Sequence, residues 1–473
     1  MKPFFSNGQW VTGPSHEAVH DPWTGEKLAE VTLADAAQVE SAVAGAAEAF
    51  KTTRRMPASE RAGILRTISD TIAARRSEFV STIVAEAGKP VTFAEAEVDR
   101  AVLTFRFASA EALSDEGHGL AIDASAPGAG HWGFARRFPV GVILGITPFN
   151  FPLNLVAHKV APCLATGNTM VLKPALKTPL SALLLAEALE SAGVPSGQIQ
   201  TIPFGHELVP DLLSDARIRM ISFTGSAPVG WKLKGDAAKK KVALELGGNA
   251  AAVVEPDCDW RTAIPRIASG AFGYAGQSCI SVQRILVQES IYDAFRDALC
   301  EHIVAKVACG DPTLRTTVVG PMINSAARQK VLAWIEEAVN AGAATLTPVE
   351  PSGLSLLPPV LLENVRPGCA ALDEEAFAPL AVLQRYRDFD EALNLVNASV
   401  YGLQAGIFTS DLNKALRAFE EIEAGGVLVN QVPTFRVENM PYGGVKESGF
   451  GREGVRYAME DMTELRSLIV NRG

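Results

Sequence analysis

The sequence predicts an α/β protein built on two parallel sheets, and three observations predict it. Short β-rich runs alternate with helical stretches in two successive series; the runs include continuous apolar segments such as VGVILGI and AAVVE; and helical segments separate consecutive runs. Parallel strands need crossovers of that kind, and strands buried on both faces lose the polar alternation of a half-exposed sheet. At roughly 150 residues per domain, 473 residues suggest two or three domains with ample core.

From about Ala36 to Gly117 the segments VESAVAGAAEAF, ERAGILRTISDTIAARRSEFVSTIVAEA and FAEAEVDRAVLTFRFASAEAL carry apolar residues three and four apart. Three or four helices should therefore precede any long strand. The first βαβ series follows, through VGVILGI, LNLVAHKVAPCLA, TMVLK, PLSALLLAEALESAG, QIQTIPF, RMISFTG, VGWKLKGDAAKK and KVALEL. Sites in such a sheet lie at the carboxyl ends of the strands. The second series runs through AAVVE, AIPRIASGAFGYA, RILVQ, YDAFRDALCEHIV, LQAGIFT, LNKALRAFEEIEAG and VLVN, and Gly247-Gly248 marks the boundary between the two. The segments 119–139 and 455–473 belong to neither. The uncharged run from Pro139 to Ala157 is not a membrane span, because Pro148 and Pro152 break a helix there and Asn150 and Asn154 are costly in lipid. It reads as a buried strand, a loop and a helix start.

Composition narrows the function. A hydrophobic fraction of 48% and a charged fraction of 20% exclude a disordered chain. Lys+Arg 43 against Asp+Glu 53 gives a formal net charge of −10, which argues against nucleic acid or an anionic membrane as partner while leaving room for a local basic pocket for a small anion. Six dispersed cysteines, at 163, 258, 279, 300, 309 and 369, form no CxxC pair, and no His stands at metal-ligand spacing, so neither a metal site nor a disulfide framework is expected. Together with an N-terminus lacking a signal-like apolar run, this predicts a cytoplasmic protein.

Three polar residues stand where chemistry could occur. Cys279, in FGYAGQSCISVQR, has small and polar flanks that leave its sulfur reachable, although a lone cysteine is most often an inert small hydrophobe. Glu245 ends the apolar run KVALEL before Gly247 and Gly248; burial there would raise its pKa toward the range of a general base, whereas a solvent-facing strand end would leave it ordinary. Asn150, between two prolines in ITPFNFP, could aim an amide donor at an oxyanion or simply close its own turn. No GxGxxG is present. Gly225, Ser226 and Gly230 in SFTGSAPVG instead form a strand-to-helix turn able to receive a pyrophosphate, and Lys173 in VLKPA ends another strand.

Ordered along the chain, these segments resemble the aldehyde dehydrogenase superfamily. Its pattern runs FNFP, KPA, FTGS-x-x-VG, LELGG, GQ-x-C, EE-x-F-x-P and P-F/Y-GG-x-K-x-SG. This chain shows Asn150, Lys173, Gly225-Ser226, Glu245, Cys279, Glu375 with Phe377, and PYGGVKESG at 441–449. The resemblance implies Cys279 as the attacking thiolate, the Asn150 side chain and the Cys279 N–H as an oxyanion hole, and Glu245 as the base that hydrolyses the resulting thioester. It assigns Lys173 and Ser226, with Gly225, Glu375 and Phe377, to NAD(P)+. Leu176 replaces the glutamate often found three residues after the lysine, so NADP+ is expected to be accepted and NAD+ stays open. Ala378 replaces a usual glycine.

The implied fold is a Rossmann-like dinucleotide-binding domain at 1–118 and 140–246, an α/β catalytic domain at 247–454, and an oligomerisation arm at 119–139 and 455–473, giving a homodimer or homotetramer. The aldehyde tunnel would be lined by Phe151, His158, Ser278, Ile280 and Arg436. His158 and Arg436 make it polar enough to suggest a small polar or anionic aldehyde, unless Arg436 serves only a structural ion pair. A CoA-acylating enzyme, or a silent binding protein of the same fold, would not be expected to keep Glu245 together with Cys279 and Asn150.

Overall fold

The computed structural model describes residues 1–114 and 117–473. Asp115 and Glu116, at the end of the expected helical stretch, lie outside the described residues.

Four helices, Ala36–Thr53, Ala58–Ala74, Arg76–Ala87 and Val91–Glu111, occupy the stretch where apolar periodicity places them. Asp35 caps the first with a reciprocal bond to Gln38, and Gly88 ends the third in the left-handed conformation that glycine adopts without a Cβ penalty. Leu65, Ile68, Ile72, Phe79, Ile83, Val98 and Phe105 are fully buried and pack with the helix Asn154–Thr166.

An eight-stranded sheet has the order Gln9–Val11, Phe4–Ser6, Ile199–Thr201, Thr169–Lys173, Val142–Ile146, Ile218–Thr224, Lys241–Glu245, Gly449–Phe450. Its five central strands are parallel. The parallel part begins at Val142–Ile146, fills one side of it, then returns to fill the other from Ile218–Thr224. That reversal opens a crevice at the carboxyl ends of these two strands, where open α/β sheets bind ligands. The loop of Phe149 and Asn150 leaves one of the two strands, and Gly225-Ser226 leaves the other.

The seven-stranded second sheet has the order Ala344–Thr345, Val360–Glu363, Leu380–Tyr386, Val282–Gln288, Ala250–Val254, Gln404–Phe408, Gly426–Val429, all parallel except the first. A third, antiparallel sheet joins Thr463–Asn471, His131–Pro139 and His118–Leu120.

Three features differ from the sequence reading. A hairpin of Ser15–His20 and Lys27–Leu33 precedes the helices, its alternation hidden by polar outward positions in SHEAVH. Gly449–Phe450 crosses back to the edge of the first sheet, pairing with Leu244 and Glu245. The tail divides: Val455, Met459 and Met462 pack into the first sheet's helical core, and only the strand from Thr463 joins the third sheet. Among the described residues no helix is long and apolar enough to cross a membrane, and no cluster of His, Cys, Asp or Glu could hold a metal.

Candidate active site

The crevice deepens into a cavity of about 350 Å³ lined by Phe149 and Asn150 from one loop, Thr224 to Ser226 from the next, Glu245 to Gly247 at the third strand end, and Gln277, Cys279 and Glu375 to Phe377 from the second sheet's side. Two glycines permit this closure. A Cβ on Gly247 would lie 2.4 Å from a Glu375 carboxylate oxygen, and one on Gly248 would lie 2.3 Å from the Cys279 carbonyl.

Cys279 follows three consecutive left-handed residues, Tyr274, Ala275 and Gly276, at φ 53, 54 and 64°. Two of them carry side chains, a strain that persists only where packing enforces it, and both are buried. The thiol is half-buried and lies 3.1 Å from the Tyr442 hydroxyl, a hydrogen bond in which either group donates. Burial pushes the thiol up to about 12; the Tyr442 hydroxyl works in the opposite direction. Asn150 Nδ2 donates to the Gln277 carbonyl at 3.0 Å, which fixes the amide beside the cysteine and leaves its second N–H unspent.

Glu245 is buried and neither of its carboxylate oxygens has a hydrogen-bond partner. Burial, aided by the charge of Glu453, lifts its carboxyl well above the ordinary range. Glu453 shows the opposite behaviour. Burial alone would raise it, but Lys159 and Arg436 hold it down to about 2. It accepts from Arg436 Nη2 at 3.0 Å and from Lys159 Nζ at 3.4 Å.

Arg436 also lies 3.7 Å over the Tyr442 ring and approaches the His158 ring at 3.3 Å. His158 bonds Glu438, which pairs in turn with Arg100, so two arginines are cross-braced through one histidine and one carboxylate. Burial and Arg436 hold His158 below its usual pKa; Glu438, despite burial, is held low by His158, Arg100 and Arg436.

Across the cavity, the helix Ala227–Asp236 begins at Ser226, whose hydroxyl makes no capping bond. The buried Thr224 hydroxyl has no partner either. Unspent donors at a helix start fit a pyrophosphate. Glu375 accepts from the Gly248 N–H at 3.1 Å, and burial lifts it to about 7. Phe377 packs edge-on against Phe149 at 5.7 Å, and Ala378 tolerates a side chain because the left-handed residue is Phe377. Lys173 is buried at its strand end, and burial lowers it to about 8. These residues fit a nicotinamide dinucleotide.

The cavity thus gathers Cys279, Glu245 and Asn150 with Gly225, Ser226, Glu375 and Phe377; Lys173 lies outside its lining. None of Phe151, His158, Ser278, Ile280 and Arg436 lines it. Ile280 packs with Leu403 and Tyr442 beneath the cysteine, Ser278 donates its N–H to Gly276, and Phe151 stacks edge-on against Tyr274 under the Lys89 ammonium. Sequence reasoning missed Tyr442, Lys159, Glu438 and Glu453 as parts of the site. A lysine inside the apolar run LNLVAHKVAPCLA was the available signal, since an unpaired charge there would be prohibitive.

The aldehyde dehydrogenase family model matches residues 10–468. A 3-sulfolactaldehyde dehydrogenase from Priestia aryabhattai is 41% identical over 469 residues, covering 99% of this chain and 97% of that one. The crystal structure of aldehyde dehydrogenase 21 from Physcomitrella patens, in complex with its reaction product succinate, is 39% identical with a TM-score of 0.96 and covers 100% of this chain and 98% of that one. An NADP-dependent glyceraldehyde-3-phosphate dehydrogenase from Bacillus halodurans, complexed with NADP, is 33% identical with a TM-score of 0.96 over 100% and 99%.

Proposed function

The chain belongs to the aldehyde dehydrogenase family, and from that premise we propose that it converts a small anionic aldehyde into its carboxylic acid through a thioester on Cys279. The observation that carries this reading is the convergence of Cys279, Asn150 and Glu245 on one cavity whose far wall is a helix start with unspent donors. The dinucleotide, when bound, supplies the hydride acceptor.

Cys279 gives its proton to water, and the thiolate sulfur bonds the aldehyde carbon as the C=O π pair moves onto oxygen. The Asn150 amide and the Cys279 N–H hold the oxyanion, while the Tyr442 hydroxyl, with Arg436 stacked on its ring, favours the thiolate over the thiol. Loss of hydride leaves a thioester. Glu245 takes a proton from water, whose oxygen attacks the acyl carbon, and the sulfur departs as thiolate. With its raised pKa, Glu245 is a stronger base than an exposed carboxylate once it has lost its own proton.

The anionic end of the substrate is assigned to Arg100, with Arg436 as its buried support. Arg436 Nε is buried without an acceptor, and the Arg100 side chain stays 25% exposed although its Nε is taken by Glu438. Three cations, Arg100, Lys159 and Arg436, face two ionised carboxylates, Glu438 and Glu453, which leaves a net positive charge behind the thiol. Three relatives support the same class, since their names specify a sulfonated, a carboxylated and a phosphorylated compound. Leu176, half-buried three residues beyond Lys173, offers no carboxylate against a 2′-phosphate, so NADP+ is the preferred cofactor in this reading.

The domain assignment is part of this proposal, with the arm's second segment beginning at Thr463 and Gly449–Phe450 counted with the first sheet. Leu465, Leu468, Ile469 and Trp132 expose apolar side chains on the third sheet, which supports its role as an arm that pairs copies of the chain. The test is NADPH formation without CoA on sulfolactaldehyde, succinate semialdehyde, glyceraldehyde 3-phosphate and propanal. At least one anionic aldehyde should exceed propanal in kcat/KM by roughly tenfold or more. A CoA requirement, or a preference for propanal, overturns the reading.

A further inference from the structure

A second cavity, of about 240 Å³, lies where the helices Ala36–Thr53 and Ala58–Ala74 meet the root of the strand His131–Pro139. Its wall contains Arg54, Arg55, Arg61, Arg136 and Arg137 and, among the described residues, no aspartate or glutamate. On a chain of net charge −10, that is a strong local inversion of sign. We propose that this cavity binds a small phosphorylated anion.

Carbonyls, a hydroxyl and aromatic rings fix several of these arginines in place. Arg61 Nε donates to the Ala165 carbonyl at 2.8 Å, and Arg137 Nη1 to the Glu460 carbonyl at 3.1 Å and the Thr463 hydroxyl at 3.3 Å. Arg54, Arg55 and Arg136 have no carboxylate partner among the described residues; Arg54 rests on the Phe50 ring and Arg136 on the Phe138 ring. The exposed carboxylates nearest in sequence, Glu60 and Glu464, form no ion pair with them.

Two further features deepen the positive field. The strand register sets Arg136 directly opposite Arg466, an arrangement of like charges that destabilises a strand pair. The helix Ala58–Ala74 starts at the cavity wall behind Pro57 with no side-chain cap, so the positive end of its dipole lies there. Guanidinium forks arriving from two elements match phosphoryl oxygens better than a monovalent anion, and Met56, Phe138 and Met459 supply an apolar floor for a small organic portion.

The site shares no lining residue with the reaction chamber, so the inference does not depend on the proposed substrate. Pyrophosphate and glycerol 3-phosphate, titrated calorimetrically into the full chain with NADP+ saturating and ionic strength fixed with potassium chloride, test it. Saturable binding near one per chain is expected for at least one probe, weakened tenfold or more by combined Arg55→Ala and Arg136→Ala and retained in Ser226→Ala. Both replaced arginines are exposed and unpaired, and retained aldehyde oxidation confirms that the double variant folds. Preference between the probes distinguishes an inorganic from an organic phosphate. No saturable heat, the outcome if a second copy fills the cavity, or equal affinity in the double variant overturns the proposal.

Discussion

The two sides of Cys279 are built on opposite terms. Toward the dinucleotide helix, polar atoms stand unspent: both Glu245 oxygens, the Asn150 Oδ1 and the Thr224 hydroxyl are buried without partners. On the other side, Arg436, His158, Glu438, Glu453 and Lys159 are bonded to one another. Unsatisfied buried groups cost roughly 1–3 kcal/mol each, so a fold retains several on one wall only where a ligand or water will meet them. The charged wall has another use. Its charges act, after burial, on the proton affinities of Cys279 and Glu245.

That contrast can be broken in order of effect. Cys279→Ala should lower aldehyde oxidation by roughly four orders of magnitude or more while leaving NADP+ affinity, read by fluorescence titration, within about threefold. Arg436→Ala comes next. It strips Glu453 of one partner and uncovers Tyr442, so thermal stability should fall by about 3–5 kcal/mol and activity should drop for propanal and anionic aldehydes alike.

Arg100→Ala sharpens the distinction between scaffold and substrate contact. Its side chain is partly exposed, and a charge-assisted contact contributes about 1.5–3 kcal/mol, so kcat/KM for the anionic aldehyde should fall roughly ten- to a hundredfold with propanal nearly unchanged. Equal losses on both substrates would place Arg100 in the scaffold.

Tyr442→Phe should act through pH. The phenol hydrogen bond lowers the thiol pKa, so its removal raises it; below that pKa the thiolate fraction falls, and the acid limb of kcat/KM moves to higher pH. One hydrogen bond contributes about 0.5–1.5 kcal/mol, which sets the loss at roughly two- to tenfold at neutral pH. Leu176→Glu leaves the chemistry alone and acts on the cofactor. It should weaken NADP+ by roughly tenfold through charge repulsion and leave NAD+ within twofold, with initial-rate KM values as the check.

The open wall was largely legible in the sequence because each of its parts is local. A strand end, a glycine pair and a helix start all lie within a few residues of Asn150, Ser226 or Glu245. The apolar runs that became Val142–Ile146 and Thr169–Lys173 are buried on both faces and need no partner information to read as strands. The charged wall was not legible. Arg436 meets Glu453 across seventeen positions, but His158 meets Glu438 across 280 and Lys159 meets Glu453 across 294, and no periodicity specifies such pairings. The expectation for Arg436 and His158 reached their neighbourhood through family resemblance, without showing that Glu453 and Glu438 engage them.

The central claim is that Cys279 carries the acyl group and that Glu245 serves only its release. Glu245→Gln, mixed rapidly with NADP+ and the preferred anionic aldehyde, tests it most directly. The account predicts an NADPH burst of about one equivalent per chain, a steady state slowed by roughly 10²–10⁴-fold, and an acyl adduct on Cys279 visible by mass spectrometry of the quenched enzyme. A variant with no burst, no adduct and an unchanged steady-state rate would contradict it.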